Sequence, residues 1–181
     1  ENAPAAQRER LKQEIDTNVA ELDALVEEVL LASRLDAAPT PERNERVELL
    51  GVAAEEAARV DALLDGAPIT VSGEERLLRR ALRNLLENAR RYGGGEVEAF
   101  VESQAGHAVV RVCDRGPGVP EAMRERIFEP FFRLPGHAEQ GGGVGLGLSL
   151  VKQIAERYGG SVRCEAREGG GSCFALSLPL A

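Results

Sequence analysis

Glu74-Glu75-Arg76-Leu77-Leu78-Arg79-Arg80-Ala81-Leu82-Arg83-Asn84-Leu85-Leu86-Glu87-Asn88-Ala89-Arg90-Arg91-Tyr92 is the stretch whose reading decides the fold. Leu77, Leu78, Ala81, Leu82, Leu85 and Leu86 fall at three- and four-residue steps, which puts them on one side of a helix and predicts a core face. Ser72 stands ahead of the run as a candidate cap. A helix with one apolar face needs a layer to bury it against, and the flanking sequence offers strands. Residues 47–49 read as a short strand, 51–58 as a short helix, and 60–64 and 69–71 as strands around the turn Asp65-Gly66. After the long helix, 96–101 alternates and 107–113 forms a second strand, with a turn near Gly106. Residues 144–158 read as a helix, and 161–166 with 172–178 as a closing hairpin. Strict strand–helix–strand alternation is missing, so an α+β fold is expected: a two-layer α/β sandwich with a mixed, mostly antiparallel sheet.

Upstream the pattern changes. From Gln7 to Asp36 there is no Gly or Pro, and Leu11, Ile15, Leu22, Leu25, Val29 and Ala32 follow a heptad seam interrupted by Asn18. That spacing predicts one long amphipathic helix that lies against other helices. Ala37-Ala38-Pro39-Thr40-Pro41 ends it, because each Pro fixes its own φ and disfavours helix in the residue before it. The expected organisation is therefore a helix over 1–36, a Pro-containing hinge over 37–46 and an α/β domain over 47–181.

The chain has 181 residues, 22 Lys+Arg against 30 Asp+Glu, and a formal charge of -8. Nucleic-acid binding usually needs a basic footprint that this balance lacks, so no nucleic-acid partner is expected. No apolar run approaches the ~18 residues of a membrane span. The opening Glu1-Asn2-Ala3-Pro4, without Met or an apolar leader, is what an excised fragment would show. Cys113, Cys164 and Cys173 are odd in number and widely spaced, so neither a disulfide framework nor a zinc site is expected, and a reducing compartment is favoured.

Three stretches carry chemistry. In the first, Asn84 and Asn88 share a helix face, and Asn88 shares one with Arg91 or Tyr92. A carboxamide oxygen is a hard ligand suited to Mg²⁺ beside substrate phosphates, although ordinary helix polarity reads equally well. Asp114-Arg115-Gly116-Pro117-Gly118 follows an apolar strand. Its carboxylate could accept from an exocyclic amine such as that of adenine, with glycines letting a ligand reach the backbone; a plain Asp-x-Gly turn is the alternative. Gly141-Gly142-Gly143-Val144-Gly145-Leu146-Gly147-Leu148 opens a helix. Unpaired N–H groups there suit phosphate, but the stretch lacks the Lys-Ser/Thr of a P-loop and, taken singly, could be a flexible linker.

In this order and spacing the three stretches resemble the N, G1 and G2 boxes of the catalytic ATP-binding domain of sensor histidine kinases. These belong with the gyrase, heat-shock chaperone and mismatch-repair ATPases, whose shared architecture is the Bergerat-type ATP-binding fold. Ile127-Phe128-Glu129-Pro130-Phe131-Phe132-Arg133 resembles the F box, which separates histidine kinases from the rest. The likeness covers about residues 47–181, and the N-terminal helix with Ser33-Arg34-Leu35-Asp36 resembles, less specifically, the second helix of the dimerisation and phosphotransfer domain. The resemblance implies that Asn88 ligates Mg²⁺ on ATP and that Asn84 supports the phosphates. Arg91, where many members have Lys, and Arg133 would supply positive charge at the phosphates. Tyr92 would line the pocket, Asp114 would read the adenine amine beside Gly116 and Gly118, and Gly143, Gly145 and Gly147 would let a lid over 134–142 close. Ser172 would help hold adenine through water, and Phe131 and Phe132 would anchor the lid.

The family's phosphoacceptor is a His followed by an acidic residue and then a Pro. His107-Ala108-Val109-Val110 and His137-Ala138-Glu139-Gln140 fit neither requirement. The resemblance therefore implies an ATP-binding fragment that phosphorylates a His on a separately supplied H-box domain rather than itself. A response regulator would be a further partner, and a homodimer could form through the N-terminal helix. The implied location is cytoplasmic, with the full-length protein anchored in an inner membrane. A nucleotide-gated binding module and an anti-sigma-type serine kinase remain as alternatives.

Overall fold

In the computed structural model, residues 5–37, 44–135 and 144–181 are described. The elements are α1 (Ala5–Ala37), β1 (Glu45–Glu48), α2 (Leu49–Ala58), β2 (Leu63–Gly66), β3 (Thr70–Gly73), α3 (Glu75–Tyr92), β4 (Val97–Gln104), β5 (His107–Asp114), α4 (Gly147–Arg157), β6 (Ser161–Ala166) and β7 (Ser172–Pro179). Single 3-10 turns at Glu121–Met123 and Arg126–Phe128 interrupt the stretch between β5 and α4.

Five strands form one sheet in the order β2-β4-β5-β7-β6, in which only β2 and β4 run parallel. Alternation then sorts side chains between its faces. Ala108, Val110 and Val112 of β5 and Phe174, Leu176 and Leu178 of β7 point into a core shared with Leu78, Leu82, Leu85 and Leu86 of α3 and Leu150 and Ile154 of α4. The core face predicted for α3 is thus buried against a mixed, mostly antiparallel sheet, giving two layers.

A buried carboxylate ties α2 to α3. Glu56 is 2 % exposed and accepts a forked pair from Arg83, Nε at 2.8 Å and Nη2 at 3.0 Å, with Arg79 Nη1 at 3.3 Å. The guanidinium of Arg83 holds the Glu56 carboxyl below its ordinary range against the opposing cost of burial. α2 itself starts on Glu48, whose carboxylate accepts the Leu50 and Gly51 N–H groups.

Four expectations need correction. Residues 69–71 do not form a hairpin with 60–64: β3 pairs with β1, Val71 opposite Val47, while β2 joins β4. Ser72 does not cap α3; it lies in β3 opposite Arg46, and the N–H of the capping residue Glu74 donates to the Tyr158 hydroxyl at 3.0 Å. The last helix begins at Gly147, not residue 144. Cys113 and Cys173 are joined in a disulfide, which a separation of 60 residues concealed and strand pairing created.

The long helix forms, but its apolar residues serve two faces. Leu25, Leu31, Ala32 and Leu35 turn towards the α/β layers, with Leu35 buried in the core cluster. Leu11, Ile15, Leu22, Val26 and Val29 remain exposed, Leu22 at 60 %.

Candidate functional site

The end of α3, the end of β5, the loop through Arg133 and the start of α4 enclose a cavity of about 380 Å³. Asn84, Asn88, Arg91 and Tyr92 reach it from α3, Asp114 and Gly118 from β5 and its following turn, and Ser172 from β7. Arg133, Gly145 and Gly147 close the other side. Gly143 falls outside the described residues, as does most of the predicted 134–142 lid. Gly116 does not line the cavity. It packs behind it, where a Cβ would fall 2.3 Å from the Tyr92 carbonyl oxygen, so only Gly lets the β5 turn touch the end of α3.

Asp114 is the buried acid of the site, 6 % exposed. Its Oδ1 accepts from the Gly116 N–H at 2.9 Å and the Ser172 N–H at 3.3 Å. Burial pushes its carboxyl pKa up, and the two N–H donors pull it partly back. Both bonds land on one oxygen, which orients Oδ2 as the acceptor left for a ligand. The Ser172 hydroxyl accepts from the Val119 N–H at 3.0 Å, fixing the turn that carries Gly118.

On the opposite side, the buried Asn84 amide donates to the Gly147 carbonyl at 3.1 Å, so this residue ties α3 to the first turn of α4. Asn88, one turn further on, is half-buried and faces the cavity. Gly145 has φ +80° and accepts from the Phe131 N–H at 2.9 Å, a close approach that a side chain would block. Phe131 is 65 % exposed, and most of the lid segment it was expected to anchor lies outside the described residues. Phe132 does pack inward, beneath the Arg126 guanidinium, and Phe128 meets Phe174 edge-on.

Sequence reading missed one wall. Glu21, Ala24, Leu25 and Glu28 of α1 line the same cavity, and Glu28 pairs with Arg80 of α3 at 2.9 Å. The signal was present in the 25/28/32/35 spacing, but the heptad seam absorbed it. The apolar lining was missed as well: Ile127 and Phe132 were placed in the F-box stretch, Leu146 in the glycine-rich stretch and Phe174 in the closing hairpin, but none was assigned to the cavity wall.

The model of the histidine kinase-, DNA gyrase B-, and HSP90-like ATPase family matches residues 73–181, which hold all three chemistry-bearing stretches. The chain belongs to this family. Within these ATPases it is a sensor histidine kinase ATP-binding fragment. It is 36 % identical over 180 residues to the sensor protein RstB of Escherichia coli (strain K12), covering 93 % of this chain and 41 % of that protein. It is 32 % identical over 168 residues to the sensor-like histidine kinase SenX3 of Mycolicibacterium smegmatis, covering 86 % of this chain and 44 % of that one. The ATPase fragment thus spans less than half the length of these relatives. Among solved structures, the mycobacterial sensor histidine kinase MprB superposes with a TM-score of 0.64 at 30 % identity, over 76 % of this chain and 97 % of that one. Full-length ShkA in complex with AMPPNP superposes with a TM-score of 0.79 at 27 % identity, over 100 % of this chain and 40 % of that one.

Proposed function

We propose that the fragment binds Mg-ATP in the cleft between α3, β5 and α4 and passes the γ-phosphoryl group to a His on a phosphotransfer domain. The observation that carries this reading is the convergence, in one cavity of about 380 Å³, of Asn88, Asp114, Arg133 and Gly145 from four separate segments. The structural neighbour solved with AMPPNP supports a nucleotide in this class of site.

Asp114 Oδ2 accepts from the adenine amine, and Tyr92 lines the base pocket beside Gly118. Ser172 acts on adenine through water and by holding the Asp114 turn. Arg91 and Arg133 place positive charge beside the phosphates. Gly145, Gly147 and Gly143, the last carried by the resemblance alone, let backbone N–H groups approach them. Asn84 is a positioning residue, since its amide already holds Gly147.

The donor set fits Mg²⁺ in one way. Among the described residues no three His, Cys, Asp or Glu cluster to hold a metal, so a cation here takes most of its ligands from phosphate and water, with the Asn88 amide oxygen contributing one. When bound, the ion screens the triphosphate charge. In the transfer, an acceptor imidazole nitrogen forms the N–P bond as the bond between the γ-phosphorus and the bridging oxygen of ADP breaks. The imidazole proton is released, and positioning supplies most of the rate.

We place the acceptor on an H-box motif outside this sequence, because neither His107 nor His137 is followed directly by an acidic residue and then by a Pro. The phosphoryl group then passes to a response regulator. A second copy of the chain is a partner through the exposed α1 stripe. Among the described residues no helix is long and apolar enough to cross a membrane; we place the fragment in the cytoplasm and its full-length protein at the inner membrane. γ-Labelled ATP, Mg²⁺ and a supplied H-box domain test the reading. Acid-labile label on the supplied domain alone is expected. Label on this chain that disappears in His107→Gln or His137→Gln overturns the acceptor assignment, and no transfer at all overturns the function.

A further inference from the structure

The outer face of the sheet, opposite the helices, carries a second feature of the nucleotide wall. Because strand residues alternate, Val112 and Phe174 enter the core while Cys113 and Cys173 point the other way. The two cysteines are directly opposed across β5 and β7, with Cα atoms 4.1 Å apart and their sulfurs bonded. Each precedes or follows a residue of the site: Asp114 is next to Cys113, and Ser172 is next to Cys173. The Ser172 N–H donates to Asp114 Oδ1 at 3.3 Å, so the sulfur bridge and the carboxylate contact clamp the same two strand ends from opposite faces. Cys113 is buried, whereas Cys173 is half-buried and is the sulfur a small reagent reaches.

We propose that Cys113 and Cys173 form a reversible thiol–disulfide pair that sets the geometry of the Asp114–Ser172 wall. The oxidant is a low-molecular-weight disulfide. The Cys173 thiolate attacks one of its sulfurs and releases a thiolate. The Cys113 thiolate then attacks the Cys173 sulfur of the mixed disulfide and releases the second thiolate. Two protein thiols lose two electrons and two protons, and the reagent leaves as two thiols. A small dithiol reverses the sequence. With the bridge closed, β5 and β7 hold Ser172 against Oδ1; with it open, the two side chains no longer share a covalent bond and that end of the strand pair is free to separate.

Cys164 makes a natural internal control. It faces the core on β6, and burial pushes its thiol up to about 11, so it does not exchange. The bridge itself stands on strand geometry alone, while its effect on nucleotide rests on the function proposed above.

The test equilibrates the whole chain in glutathione buffers of graded redox poise, alkylates the free thiols under denaturing conditions and counts them by mass. Amide exchange at Gly116 and Ser172, the two Oδ1 donors, is read at each end of the series without nucleotide. The expected result is one alkylated thiol, Cys164, at oxidising poise and three at reducing poise, with exchange at the two amides faster by about tenfold or more in the reduced form. Cys173→Ser and Cys113→Ser should show the fast exchange at every poise. Three thiols at every poise, or equal exchange in both forms, overturns the proposal. Titration with a fluorescent ATP analogue separates the two readings. A reduced form that binds about threefold or more weakly than the oxidised one extends the switch to the nucleotide. Absence of binding in both forms counts against the nucleotide site and leaves the exchange result to decide the switch.

Discussion

Asp114→Asn should abolish most nucleotide affinity while leaving the fold intact, and the structure says why the two effects separate. Asp114 Oδ1 holds the Gly116 and Ser172 N–H groups. An asparagine can keep both bonds only by placing its carbonyl oxygen where Oδ1 stands, which turns its NH₂ towards the cavity. An acceptor facing the adenine amine thereby becomes a donor facing a donor. A hydrogen bond to a charged group contributes about 1.5–3 kcal/mol, so the variant should bind an ATP analogue roughly tenfold to 150-fold more weakly. Stability should hold or rise, because the variant no longer buries the charge that pushes the Asp114 pKa up.

The pH dependence carries the same signature. The folded pKa of Asp114 lies above its ordinary 3.8, so the ionised carboxyl costs stability at neutral pH, and acidification towards the raised pKa relieves that cost. Affinity moves the opposite way: the parent loses nucleotide as the carboxyl protonates, beginning at a higher pH than an ordinary aspartate would. Asp114→Asn should show no such loss. Calorimetric titration between neutral pH and the acid limit of folding, paired with thermal melts, measures both quantities. Unchanged affinity in the variant refutes the adenine assignment, and a loss of affinity accompanied by a large fall in melting temperature refutes the claimed separation.

Asn88→Ala should weaken Mg-ATP binding yet leave adenosine binding nearly unchanged, since the side chain is assigned to the cation; equal weakening of both in parallel titrations would mean a damaged cleft. Glu56→Gln should cost about 2–3 kcal/mol in chemical denaturation, because it leaves Arg83 and Arg79 facing a neutral amide at a buried position. As the Glu56 pKa is lowered from 4.5, the ion pair stabilises the fold above that value and is lost as pH falls through the depressed one, so parent and variant should converge in acid. Leu22→Glu should abolish a concentration-dependent dimer in sedimentation without affecting nucleotide affinity; an unchanged dimer would place self-association elsewhere.

Legibility followed the range over which each signal acts. α3 was readable because its apolar period is local and its partner layer needed only to exist. Asn88 and Asp114 were readable because each sits at the end of a strongly patterned element, where the chain's direction is set by neighbours in sequence. The β1–β3 pair was not, since residues 45–48 and 70–73 meet across an intervening helix and strand, and the Asp65-Gly66 turn advertised a nearer partner. The Cys113–Cys173 bond failed for the same reason, as its register depends on two strands 60 residues apart. Ser72 has the residue type of a cap without the position of one, since β3 claims it and Tyr158 supplies the contact to Glu74.

The two faces of α1 explain why one helix could be read as a single seam and still do two things. At about 100° per residue, Leu11, Ile15, Leu22, Val26 and Val29 cluster on one side, whereas Glu21, Leu25, Glu28, Ala32 and Leu35 cluster roughly 100° away. Only Leu25 and Ala32 depart from the exposed group among the seam residues, and the structure gives both to the face turned towards the α/β layers. The Glu28–Arg80 pair fixes that face, because it joins α1 to the helix that carries Asn84 and Asn88. A partner helix on the Leu22 side therefore meets no competition from the cleft. An association on the Leu22 side and lining of the cleft on the Leu25 side are thus compatible on one helix.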